Sequence, residues 1–177
     1  MEYNLENIAL IIEIIGGIAI IISLLFVGIQ LKESAKATRS ATAATTVSEL
    51  TTWYSNLGNS EQGSFTFWHF MTNPDSLKPE HRFQAIVNIH GIMLTWQNSF
   101  YLVKEGTLDK RIQESLLEII NGVKNNPGFR VYWQSRKATF LKEFQEYVEG
   151  LMATDKTNSE GIYEVIDKKT NANTVYN

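Results

Sequence analysis

Two patterns of hydrophobic and polar positions divide the chain. From Ile8 to Leu31 the sequence reads IALIIEIIGGIAIIISLLFVGIQL, 24 residues interrupted by one charge, Glu13, and one amide, Gln30. As a helix this run is about 36 Å long against about 30 Å of bilayer hydrocarbon, so it predicts a membrane-spanning helix with some tilt. A secretory signal needs a basic start and an apolar stretch of only about 7–15 residues. Here the start is MEYNLEN and the run is too long. A buried core helix of this length would need a larger domain around it than the remaining chain supplies.

Beyond Leu31 the period changes. Residues 32–57 are rich in Ala, Ser and Thr and contain neither proline nor glycine, which predicts a helical stalk. Gly58-Asn59 breaks it, and Ser64–Met71 reads as a short aromatic helix ending before Asn73-Pro74-Asp75. Ser76-Leu77-Lys78-Pro79-Glu80 has the form of a helix start. The helix from Pro79 to Lys104 carries a stripe, Phe83, Val87, His90, Leu94, Gln97 and Tyr101, expected to face the core. Glu105-Gly106-Thr107 closes it, with Thr107 as the N-cap of the next helix and Leu108, Ile112, Leu116, Ile119, Ile120 and Val123 on its apolar side. After the turn Asn125-Asn126-Pro127-Gly128, one last helix carries Phe129, Trp133, Lys137, Phe140, Phe144, Tyr147, Val148 and Leu151.

All three long segments have a helical period and none alternates like a strand, so the expected fold class is all-α. Its parts are an outer N-terminus (1–7), a span (8–31), a stalk (32–57), a helical bundle (58–152) and a polar tail (153–177). In the tail a short docking strand is expected at Ile162–Ile166. No repeat of 20–50 residues is present in the sequence.

Charge changes this picture in one respect. The net charge of −3 belongs to the first 31 residues, which hold Glu2, Glu6 and Glu13 and no base; the rest is balanced. A neutral body lacks the basic face that nucleic acid requires. Lys32, Lys36 and Arg39 follow the span directly. Basic flanks stay in the cytoplasm, which places the N-terminus outside and the bundle inside. The chain of 177 residues has no cysteine, so disulfides, thiolate metal cages and cysteine nucleophiles are excluded.

One side of the span is small or polar. Ala9, Glu13, Gly16, Ala19, Ser23 and Gln30 fall within an arc of about 120° at 100° per residue. Ala9, Gly16, Ser23 and Gln30 lie seven apart, and Ala37 and Ala44 continue the step into the stalk. A seven-residue repeat is the seam of a left-handed coiled coil, and small residues let helices approach closely in lipid. These eight residues are therefore the expected oligomer interface. Glu13 stands five residues into the run and is read as a carboxylate at the outer membrane interface, the alternative being a ring of carboxylates at an oligomer axis.

Candidate chemistry in the bundle is sparse. His69, His81 and His90 form neither an HxxxH nor an HExxH pair, so no metal is expected. His90 and Gln97 share the apolar stripe; His90 reads as a core histidine hydrogen-bonded to a neighbour, or the two as the lining of a polar pocket inside the bundle. Lys137 is expected to snorkel or to pair with Glu114 or Glu118. Trp53, Trp68, Trp96 and Trp133, set among Phe and Tyr at helical spacing, read as core or membrane-interface residues rather than a ligand cage. There is no GxGxxG, P-loop or GxSxG motif, and neither an enzyme activity nor a cofactor is expected.

Gly16-Gly17-Ile18-Ala19, Leu25-Phe26-Val27 and Gln30-Leu31-Lys32, together with Asn126-Pro127-Gly128-Phe129-Arg130-Val131-Tyr132-Trp133, Phe140, Phe144 and Tyr147-Val148, carry a resemblance. Over residues 8–151 the chain resembles a widespread group of uncharacterised bacterial single-span membrane proteins. The resemblance implies a bacterial inner-membrane location and no particular activity. Three functions are compatible with these residues. The first is a membrane-anchored, self-associating scaffold or accessory subunit of a larger membrane complex. The second is a homo-oligomeric channel lined by Glu13, Ser23 and Gln30. The third is a small-molecule sensor with a pocket near His90 and Gln97.

Overall fold

A computed structural model of the chain describes residues 5–154. Among them six α-helices follow one another with no strand: α1 Leu5–Gly58, α2 Glu61–Thr72, α3 Pro79–Lys104, α4 Lys110–Val123, α5 Pro127–Arg136 and α6 Lys142–Ala153. The expected strand at Ile162–Ile166 lies outside the described residues. The chain divides into two compact units, Met1–Ala41 and Thr42–Asn177.

The first unit holds the N-terminal part of α1 and has no core. Its apolar residues lie on all sides of the helix and remain exposed. That helix is long and apolar enough to cross a membrane.

The second unit begins at Thr42, inside the stretch read from sequence as a stalk. Here α1 turns Thr46 inward, 3% exposed, and packs Leu50 and Trp53 against the core. The Trp53 indole N–H donates to the Asn88 carbonyl at 3.1 Å. Helix α2 starts three residues earlier than its aromatic cluster implied, because Ser60 caps it and accepts from the Gly63 N–H at 3.0 Å. Phe70 and Met71 then enter the core.

At its N-terminus α5 meets α2 more closely than any side chain permits. A Cβ built on Gly128 would stand 2.1 Å from the Phe70 carbonyl oxygen and 2.8 Å from the Met71 Cα, so this crossing requires glycine. Phe129, Tyr132 and Trp133 follow into the core, joined by Leu116 and Ile120 of α4 and Phe144 and Val148 of α6.

Four expectations are corrected. Helix α3 has the expected bounds but buries a different face: Ala85, Ile89, Ile92, Met93, Trp96 and Ser99. Phe83, Val87 and Leu94 of the expected stripe are exposed at 64%, 48% and 45%. The physical reason is that α3 is apolar on two sides, and the side with the larger continuous set won the core.

Thr107 is not a cap. It completes α3, where Gly106 takes φ 71°, the Gly106 N–H donates to Val103 O and the Thr107 N–H to Leu102 O. Asp109 caps α4 instead, accepting from the Arg111 N–H at 2.9 Å.

The last helix is two helices. A 3-10 turn at Lys137–Thr139 and extended backbone at Phe140 and Leu141 separate α5 from α6. The break brings the Phe140 ring onto Trp133, centroids 5.7 Å apart and nearly parallel. In an unbroken helix those residues would be about 10 Å apart along the axis. Lys137 pairs with Glu149 of α6 at 2.8 Å, and Glu114 pairs with Lys110.

Candidate functional site

The residues of the expected interface are placed as follows. Ala9, Glu13, Gly16, Ala19, Ser23, Gln30 and Ala37 all lie in the first unit and are exposed along one helix; Ala44 is exposed in the second. Ser23 Oγ donates to the Ala19 carbonyl at 2.8 Å, so this hydroxyl is satisfied within its own helix. Gly16, Gly17 and Gly28 have no atom within 4 Å of where a Cβ would stand. Nothing inside this unit uses their small size.

In the bundle, His90 and Gln97 of α3 meet the α5–α6 junction, each with its own partner. His90 Nδ1 lies 3.0 Å from the Tyr132 hydroxyl, and its ring packs against Phe140 with centroids 5.1 Å apart. Tyr132 is fully buried, and burial pushes its phenol far above the ordinary range. A phenol that keeps its proton donates to Nδ1 and leaves the imidazole proton on Nε2. Burial, and then the nearby Arg136 charge, push the His90 imidazole below its usual value and hold it neutral. Gln97 Oε1 accepts the backbone N–H of Leu141 at 2.8 Å, a donor released by the helix break. Gln145 Nε2 donates to the Phe140 carbonyl at 2.7 Å, satisfying the group beside it.

The bland reading of His90 and Gln97 as hydrogen-bonded packing residues thus accounts for one ring nitrogen and for the Gln97 oxygen. Sequence reasoning missed Tyr132, Arg136 and Phe140 as their neighbours. The available signal was Tyr132 itself, since a core tyrosine beside Trp133 needs a partner for its hydroxyl.

It also missed Lys124, whose side chain is buried at 1% exposure. Its ammonium donates to the Leu151 carbonyl at 3.1 Å, the Thr154 carbonyl at 2.5 Å and Thr154 Oγ1 at 3.2 Å. A cation there satisfies the last carbonyls of α6 and complements the negative end of its dipole. Among the described residues no group of three or more His, Asp or Glu is placed to hold a metal ion. Comparison of the chain with protein-family models, with curated proteins and with solved structures finds no match.

Proposed function

We propose that this protein is a membrane-anchored helical scaffold or accessory subunit that self-associates through its N-terminal span and presents the bundle on the cytoplasmic side. One observation carries the reading: every Ile, Leu, Val and Phe from Ile8 to Leu31 is exposed, at 40–66%. An exposed apolar surface of this length, with one charge in 24 residues, is not sustained in water and calls for lipid or further copies of the helix.

One glycine of that helix supports self-association. In a helix glycine costs about 1 kcal/mol relative to alanine. Gly16 repays nothing within its own chain, whereas a second helix approaching over it would use the space. The proposed seam runs along Ala9, Gly16, Ser23 and Gln30 to Ala37 and Ala44, with Glu13 and Ala19 beside it. Lys32, Lys36 and Arg39 support the orientation. The inner membrane as the site rests on the resemblance to bacterial single-span proteins.

The test has two arms. The full-length chain should stay with the membrane fraction through an alkaline wash, and in mild detergent it should show an oligomeric mass by light scattering. Gly16→Leu combined with Ser23→Leu should reduce that mass to the monomer while leaving membrane retention unchanged. A detergent-free soluble monomer of the wild-type chain would overturn the anchor, and an unchanged mass in the double variant would overturn the seam.

A further inference from the structure

Arg136 differs from every other arginine of the second unit. Arg82 pairs with Asp75 at 3.5 Å, Arg111 with Asp109 at 2.6 Å, and Arg130 donates to Asn125 Oδ1 at 3.1 Å. Arg136 is half-buried; its carbonyl accepts from Thr139 Oγ1 at 2.7 Å, but among the described residues its guanidinium has neither a hydrogen bond nor an ion pair. A guanidinium has five N–H donors and no acceptor, so partial withdrawal from water without a partner leaves part of its lost hydration unreplaced.

It stands one helical turn beyond Tyr132, whose hydroxyl holds His90 Nδ1. His90 Nε2 likewise has no partner among the described residues. Both groups therefore stand beside Tyr132 at the junction of α3 and α5 with no acceptor among the described residues.

The exposed side of α3 beside His90 carries no charge. Val87 and Leu94, three residues before and four after His90, are both about half exposed. Gly91 lies between them, and a Cβ there would meet no atom within 4 Å, so the fold itself does not demand the glycine. No Asp, Glu, Lys or Arg occurs between Arg82 and Lys104. A solvated helix face ordinarily carries charges; this one is an uncharged strip with a notch in its middle.

We propose that His90 and Arg136 bind the carboxylate of a small amphiphile whose hydrocarbon chain lies over Val87, Gly91 and Leu94. The charge count selects a carboxylate: a neutral imidazole and one guanidinium match one negative charge, and the guanidinium fork fits a carboxylate in two-point fashion. The strip selects the rest, because a short polar acid would leave it uncovered. This binding site is independent of the membrane reading.

Decanoate is the probe. The full-length chain, labelled with nitrogen-15 at histidine and held in lipid nanodiscs, is titrated while the His90 Nε2 resonance is followed; that resonance reports the site and not partition into lipid. Decanoate should shift it saturably. Arg136→Gln should weaken binding at least tenfold, while Lys137→Gln, whose cation is already paired with Glu149, should not change it. Acetate, decanol and inorganic phosphate should each bind at least tenfold more weakly. Unmoved His69 and His81 resonances confirm that a variant keeps the fold, and Arg136→Lys replaces the glutamine variant should that one unfold, with a smaller loss expected. No saturable shift, equal affinity after loss of Arg136, or binding of acetate or phosphate as tight as decanoate would overturn the proposal.

Discussion

Glycine has opposite meanings in the two units. In the first, Gly16, Gly17 and Gly28 are surrounded by open space. In the second, Gly128 holds its place against the backbone of Phe70 and Met71. The bundle has solved its packing within one chain, and its special residues have visible causes. The N-terminal helix has not: nothing within its own unit meets the places where its glycines lack a side chain. An apolar residue count would place both units among well-buried structures; exposure separates them.

The bundle side of this contrast is open to attack by substitution. All four tryptophans belong to the second unit, so near-ultraviolet circular dichroism of the full-length protein during urea unfolding reports that unit. The largest effect is expected from Gly128→Ala, because the added methyl meets backbone rather than a movable side chain; a loss of about 3 kcal/mol or more is expected. Gly150→Ala, in α6 where nothing lies within 4 Å, should instead stabilise by up to about 1 kcal/mol. Equal effects from the two would remove the distinction between required and unused glycines.

Next in size is Lys124→Met, which keeps the volume and strips three acceptors of their shared donor. It should cost about 1–3 kcal/mol in the same measurement.

The smallest effect is a slope. The folded imidazole of His90 sits below its unfolded value of about 6.5, so the folded state binds fewer protons there. The stability linked to neutral His90 is present above about pH 6.5 and is lost as pH falls from there towards the folded value. Between pH 7.5 and 5.5 the wild-type unfolding midpoint should therefore fall more steeply than that of His90→Gln. Parallel slopes would mean that protonation of His90 is not opposed by the fold.

These cases also show what was legible in the chain and what was not. The bounds of α3 were legible because Pro79 fixes its first turn and Gly106 its end, and both signals are local. Its buried face was not, since Phe83, Val87 and Leu94 satisfy a helical period as well as Ile89, Ile92 and Trp96 do, and no charge between Arg82 and Lys104 marks an outside. The division between α5 and α6 was hidden because neither glycine nor proline stands there. It is enforced by the stacking of Phe140 on Trp133 and by amides from Gln97 and Gln145. His90 was legible as a polar residue needing a partner, but Tyr132 lies 42 residues away and only tertiary packing could choose it.

The Gln97 amide on the Leu141 backbone has a consequence for how the bundle opens. Leu141 is 56% exposed, yet its peptide proton is held by a residue of another helix. Deuterium should enter that one position only when α6 lifts away from α3, so its uptake clock would time a sub-global opening rather than fraying of a surface turn. Because lifting α6 from α3 also breaks the exposed Lys104–Glu143 ion pair at 2.7 Å, that clock should run somewhat faster in high salt than in low.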